Sequence, residues 1–215
     1  KILIKQAKII DSSSKYNNKI CDILINNNKI EKVAKKIQID SDTKIFKSDN
    51  LHISQGWFDI HVNFGQPGFE HRETIENGLN VAAKGGFTEV LLMPNTKPCV
   101  DNGSMIDFIK SFDKKHIVNI QVAGNLTMSQ EGKNIVEVND MINNGCIAFT
   151  DDKKSIQNNE LMKIALLYMK NSNALLMNYP NDKEIQNKGV INEGKISTQL
   201  GLRGIPNIAE EMMLD

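Results

Sequence analysis

Five short apolar runs recur along this chain, beginning near residues 57, 87, 117, 145 and 174, with helix-patterned stretches between them. Trp57, Phe58, Ile60 and Val62 open the series and read as a buried strand. Phe87–Met93, Ile117–Ala123, Gly145–Thr150 and Ala174–Met177 follow. Between them, Glu70–Lys84 carries Ile75, Leu79, Ala82 and Ala83 at helical spacing and is closed by Gly85-Gly86. Ser104–Phe112, Gly132–Asn143 and Asn159–Asn171 read as further helices. Strand and helix alternating in this way predict a parallel sheet made of βαβ units, an α/β fold of partial TIM-barrel type. A closed eight-fold barrel takes about 250 residues. The 215 residues here cannot close one and keep other strands too, so the chain is expected to be part of a longer protein. Its end, Ala209–Asp215, reads as the start of a helix.

The segment before the first run is of another kind. Lys1–Ile10 alternates apolar and polar residues, Cys21–Ile25 is apolar, Asn26-Asn27-Asn28 is a hairpin-turn candidate and Lys29–Ala34 is a further strand. Residues 1–52 are expected to be strands of a small β-sandwich, and residues 53–215 the first part of the barrel. Lys+Arg and Asp+Glu both number 26, so no basic surplus points to nucleic acid or an anionic membrane surface. No apolar run approaches the roughly 18 residues of a membrane span. Lys1–Ile10 lacks the apolar core and cleavage site of a signal peptide. Cys21, Cys99 and Cys146 are odd in number and widely spaced, which fits reduced thiols in a cytoplasmic protein.

Side chains with chemistry gather at the ends of the apolar runs. Asp59, His61 and Asn63 alternate with the apolar residues of the first run and so leave it on one face. Gly65, Pro67 and Gly68 then open a loop. The C-terminal ends of parallel strands are where a β/α barrel keeps its reactive groups. Two imidazoles spaced by one residue on such a face would converge on one metal ion. Here the second position is Asn63, whose amide oxygen is a poor zinc ligand. Asp151 and Asp152 follow Cys146–Thr150, and two roles stand open for them: a metal ligand or base, or a turn and helix-capping pair. Asn95, between Pro94 and Thr96, is positioned to offer its amide to a ligand. Gly85-Gly86 is expected to serve close helix-to-strand packing.

These landmarks resemble the dihydroorotase family of the amidohydrolase superfamily, in its longer form that works with aspartate carbamoyltransferase. The resemblance runs over nearly the whole chain. It is carried by Gly56-Trp57-Phe58-Asp59, by Pro67-Gly68 with Glu70 and Glu73, and by Ala82-Ala83 before Gly85-Gly86-Phe87-Thr88. Met93-Pro94-Asn95-Thr96 and Phe149-Thr150-Asp151-Asp152 are its most specific parts. Asn192-Glu193-Gly194, and Gly201-Leu202 through Ile205-Pro206 to Ala209-Glu210, extend it. The resemblance implies a distorted barrel flanked by a β-sandwich. It also implies zinc-dependent, reversible cyclisation of N-carbamoyl-L-aspartate to L-dihydroorotate, a step of de novo pyrimidine biosynthesis.

By the same resemblance, the first strand of active members reads H-x-H-x-R: two zinc ligands and an arginine that holds the substrate carboxylate. Those positions are His61, Asn63 and Gly65 here. Asn95 matches a substrate-contacting asparagine, Asp151 matches the metal-side carboxylate, and Tyr179 stands where a further zinc histidine belongs. A phenol that titrates near pH 10 is a weak zinc ligand at neutral pH. The catalytic aspartate is expected beyond residue 215. With Asn63, Gly65 and Tyr179 all changed, the expectation is a pseudo-dihydroorotase that has lost hydrolysis and supports an aspartate carbamoyltransferase assembly. The alternative is a working zinc-dependent cyclic amidohydrolase with dihydroorotate or a related cyclic amide as substrate. Family habit adds a homo-oligomer.

Overall fold

The alternation at the start of the chain folds into strand β1 (Ile2–Ile10). The computed structural model describes residues 1–113 and 116–214, and the chain divides into two units, Lys1–Gly56 and Trp57–Asp215. In the first unit, β1 is joined by β2 (Ile20–Asn26), β3 (Lys29–Ala34), β4 (Lys44–Phe46) and β5 (His52–Ser54). They form one mixed sheet ordered β3-β2-β1-β4, with β5 also paired to β1. Asn27 and Asn28, at φ 48° and 59°, supply the left-handed pair that a tight hairpin between β2 and β3 demands. β1 bulges between Ile4 and Ala7. There the buried Asp22 accepts the Gln6 N–H at 3.0 Å and the Ile37 N–H at 3.0 Å. Its two oxygens thereby satisfy amides that the ladder leaves unpaired.

The second unit repeats strand and helix: β6 (Trp57–Val62), α1 (Ile75–Gly85), β7 (Phe87–Leu92), α2 (Gly103–Lys110), β8 (Asn119–Gly124), α3 (Val138–Asn143), β9 (Cys146–Phe149), α4 (Asn159–Ser172) and β10 (Leu175–Leu176). The five strands form one sheet ordered β10-β9-β8-β7-β6, and every neighbouring pair is parallel. This is the expected run of βαβ units, with five barrel-type strands where five apolar runs stood. Beyond it come α5 (Lys183–Gln186), β11 (Ile191–Asn192), α6 (Lys195–Leu200), β12 (Gly204–Ile205) and α7 (Ile208–Glu211), with β11 and β12 forming a short parallel pair.

Val90, Leu91 and Leu92 of β7 and Val122 and Ala123 of β8 bury apolar side chains on both faces of the sheet, whereas Glu89 and Gln121, earlier on the same strands, are hydrogen-bonded to each other. Val90 and Leu92 of β7, Ile120 and Val122 of β8 and Phe149 of β9 pack with Ile75, Leu79, Ile106, Ile109, Met141 and Ala165 of the helices. Leu91, Met93, Ala123 and Ala148 form a smaller cluster with Met177. β6 departs from its reading as a buried strand. Trp57 and Ile60 are each 59% exposed, and β6 stands at one end of the five-strand order. Its apolar residues join the core only from Val62 and Phe64 onward.

Two helices begin later than their apolar spacing suggests. Thr74, whose hydroxyl accepts the Asn77 N–H at 3.2 Å, caps α1 and sets its start. The helix expected over residues 132–143 is reduced to α3, since residues 134–136 run antiparallel to residues 126–128. Met128 N–H reaches Asn134 O at 2.9 Å and Val136 N–H reaches Leu126 O at 3.2 Å. Gly86 ends α1 in the left-handed region at φ 87°, its N–H reaching the Ala82 and Ala83 carbonyls. A Cβ there would meet nothing within 4 Å. Its glycine is therefore explained by backbone conformation and not by packing.

The buried Cys146 thiol sits between the Gly124 N–H at 3.2 Å and the Ala148 carbonyl at 3.1 Å. Burial pushes its pKa from 9.0 to about 11, against the opposing pull of those two hydrogen bonds. An unfolded thiol ionises first, so this contribution to stability is intact below pH 9.0 and is lost as pH rises through about 11. The loss is expected to reach about 3 kcal/mol. Urea unfolding at a series of pH values from 8 to 11 should show this slope, and Cys146→Ala should flatten it. Equal slopes in the two proteins would refute it.

Candidate functional site at the strand ends

Four polar side chains meet at the C-terminal ends of β6, β7 and β9. His61 belongs to β6 and Asn63 follows it on the same face. Asn95 stands in the loop after β7, and Asp152 in the turn after β9. His61 Nε2 lies 2.8 Å from Asp152 Oδ1. The other oxygen of Asp152 accepts from Asn95 Nδ2 at 2.9 Å. The same Asn95 nitrogen donates its second hydrogen to Asn63 Oδ1, and Asn63 Nδ2 returns to His61 Nδ1 at 3.4 Å. The circuit sets the imidazole between the carboxylate, on its Nε2 side, and the Asn63 amide, on its Nδ1 side. The His61 side chain is 43% exposed and that of Asp152 5%, so the ring has one open side.

Asp151 lies apart from this group. Its Oδ1 accepts the Leu126 N–H at 3.0 Å and the Thr127 N–H at 2.9 Å, and its Oδ2 accepts the Thr127 hydroxyl. It ties the end of β9 to the end of β8. Burial pushes its carboxyl pKa up, and the Thr127 hydroxyl, the Thr127 and Leu126 amides and the Lys154 charge pull it down. The carboxylate that the structure brings to His61 is that of Asp152 and not that of Asp151, to which the family resemblance gave the metal-side role. Neither aspartate caps a helix: α4 is capped by Asn158, which accepts from Glu160 and Leu161 amides at 3.0 and 3.1 Å. Asp152 has φ 51°, a left-handed conformation that Asp tolerates better than most residues.

The remaining candidates sit as follows. Gly65 closes a turn through its carbonyl, which accepts the Phe69 N–H at 2.7 Å. A Cβ on it would lie 2.2 Å from the Phe69 carbonyl oxygen, so this backbone has no room for the arginine of the H-x-H-x-R pattern. Tyr179 is 47% exposed and joins none of the hydrogen bonds of the His61 group. A cavity of about 260 Å³ is lined by Gln130, Asp151, Lys154 and Lys183, among others, but by none of the four ring residues. It lies beside the structural carboxylate and not at the strand-end group. Among the described residues, no helix is long and apolar enough to cross a membrane.

A family model described as Dihydro-orotase-like matches residues 52–214. A curated dihydroorotase of Pelotomaculum thermopropionicum is 38% identical over 215 residues, covering 100% of this chain and 50% of that protein. The chain spans about half the length of the curated relatives it matches. Among solved structures, an L-hydantoinase (dihydropyrimidinase) from Arthrobacter aurescens superimposes with a TM-score of 0.71 at 15% identity, over 86% of this chain and 41% of that one. A dihydroorotase crystal structure does so with a TM-score of 0.55 at 15% identity, over 82% and 50%. At that identity the likeness speaks for the fold, a β/α barrel of amidohydrolase kind.

The zinc that the resemblance implies asks for imidazole and carboxylate donors with free lone pairs. The residues present do not fit it. The group holds one imidazole and one carboxylate, His61 and Asp152, turned toward each other 2.8 Å apart. Asn63 and Asn95 offer only amides. Among the described residues, no group of three or more His, Cys, Asp or Glu side chains is placed to hold a metal ion.

Proposed function

The chain belongs to the dihydroorotase-like family, and from that premise we propose that its protein has kept the family's fold and given up its hydrolysis. The role proposed is a non-catalytic one in de novo pyrimidine biosynthesis, supporting an assembly with aspartate carbamoyltransferase. Pathway and partner are carried over from the family resemblance. The single observation behind the loss of chemistry is the donor set at the strand ends, one imidazole and one carboxylate joined to each other and to two amides. Hydrolysis of a cyclic amide in this family relies on a metal to bring bound water toward neutrality and to polarise the ring carbonyl. A substrate carboxylate would also go without its guanidinium, at a cost of about 2 kcal/mol or more of binding.

The test uses the natural full-length protein with zinc supplied. Interconversion of N-carbamoyl-L-aspartate and L-dihydroorotate is expected to stay at background, and the protein is expected to co-sediment with its cognate aspartate carbamoyltransferase. Turnover abolished both by a chelator and by His61→Ala would establish a zinc-dependent cyclic amidohydrolase instead. Failure to co-sediment would remove the scaffold role.

A further inference from the structure

We propose that the His61–Asp152–Asn95–Asn63 ring takes the place of a metal ion as the tie between the ends of β6, β7 and β9. The inference rests on the reading of this site as one without hydrolysis, and adds what the changed residues do instead. In a parallel sheet each strand end is bonded to its immediate neighbour by the ladder, and the chain connects strands only through long crossover segments, so β9 has no ladder bond to β6 or β7. A metal gripped by several strand ends would fasten them, and so would a closed circuit of hydrogen bonds between the same ends.

Each member of the ring uses two hydrogen bonds. His61 engages Asp152 through Nε2 and Asn63 through Nδ1. Asp152 accepts at both oxygens, Asn95 gives both hydrogens of one nitrogen, and Asn63 accepts at Oδ1 and donates from Nδ2. Asn63 is thus more than a missing imidazole, since its planar amide sets a donor and an acceptor side by side. Asp152 supplies a second sign of function. Its carboxylate is nearly fully buried, and its only salt-bridge partner among the described residues is His61. A buried carboxylate is costly unless its oxygens are hydrogen-bonded. Its backbone is also held at φ 51°, which its two ring bonds offset. The two neighbouring aspartates therefore share the fastening of β9, with Asp151 binding it to β8 and Asp152 binding it to β6 and β7.

Thermal unfolding of the natural full-length protein tests this. Exhaustive treatment with a chelator, and separately added zinc, are both expected to leave Tm unchanged. Asn63→Ala and Asn95→Ala are each expected to lower Tm by about 3–6 °C. The double variant should lose clearly less than the sum, because either change already opens the ring. A Tm that falls with chelator or rises with zinc would overturn the proposal, as would single variants without effect or a double variant with additive loss. Should the variants fail to fold, the zinc and chelator comparison on the unaltered protein decides alone. Failure here is distinct from failure of the scaffold reading. Chelator-resistant turnover of dihydroorotate would sink that reading and leave the ring standing, whereas a zinc-dependent Tm without turnover would do the reverse.

Discussion

Asp151→Ala is expected to destabilise the protein by about 3–5 kcal/mol. The carboxylate accepts three hydrogen bonds in a buried setting, from the Leu126 and Thr127 amides and the Thr127 hydroxyl. Alanine would leave two backbone N–H groups without partners, each costing about 1–3 kcal/mol when water cannot reach it. The Thr127 hydroxyl would lose its acceptor while its oxygen still accepts the Gly132 N–H at 3.0 Å. Asp151→Asn keeps one acceptor oxygen and is expected to lose less than half as much. Urea unfolding of the two variants beside the parent gives the comparison. A carboxylate whose main business was holding zinc would give a different result: little change in the stability of the metal-free protein and a loss of bound metal. A cost below about 1 kcal/mol for Asp151→Ala would refute the structural role assigned to it.

Gly65→Arg is expected to fail as a repair. The position corresponds to the carboxylate-binding arginine of the family pattern, and putting the arginine back is the obvious way to recover substrate binding. The obstacle is local. A Cβ at Gly65 would lie 2.2 Å from the Phe69 carbonyl oxygen and 2.9 Å from that of Glu73. Both are backbone atoms, the first in the turn closed by the Gly65 carbonyl and the Phe69 N–H and the second just before the Thr74 cap of α1. Since the clash arises at Cβ, Gly65→Ala and Gly65→Arg are expected to be destabilised to a similar extent, about 3 kcal/mol. Neither should bind dihydroorotate more tightly than the parent. Thermal unfolding and calorimetric titration with dihydroorotate would read both effects. An arginine variant as stable as the parent, and with new affinity for dihydroorotate, would mean that the turn opens readily and that only the side chain had been lost.

The expected loss of zinc chemistry and the expected weight of Asp151 come from the same turn after β9, where the family resemblance gave Asp151 the metal side and the structure instead places Asp152 beside His61. Much else was legible. The apolar runs located all five strands of the parallel sheet, since β7, β8 and β9 bury their apolar residues in the two clusters. The spacing of Asp59, His61 and Asn63 put His61 and Asn63 on one face, as period-two geometry requires. The hairpin at Asn27-Asn28 and the glycine stop at Gly86 were local matters, and the local sequence carried them. The helix expected over residues 132–143 was less legible. Its first half pairs with residues 126–128 through backbone hydrogen bonds, and spacing of side chains holds no record of such a partner.

What the sequence by itself determined is therefore the order of strands and helices, the family pattern, and the set of residues near the strand ends. Only the tertiary structure decided which of two adjacent carboxylates faces the other strands' polar groups. Asp151 turns back to the Leu126 and Thr127 amides after β8, whereas Asp152, held in the left-handed region at φ 51°, faces His61 and Asn95. Both lie past the end of β9, where the alternation of a strand no longer assigns a face, so neither direction can be read from Cys146–Phe149. The two directions are set only once β9 has found β8 and the ends of β6 and β7 stand beside it.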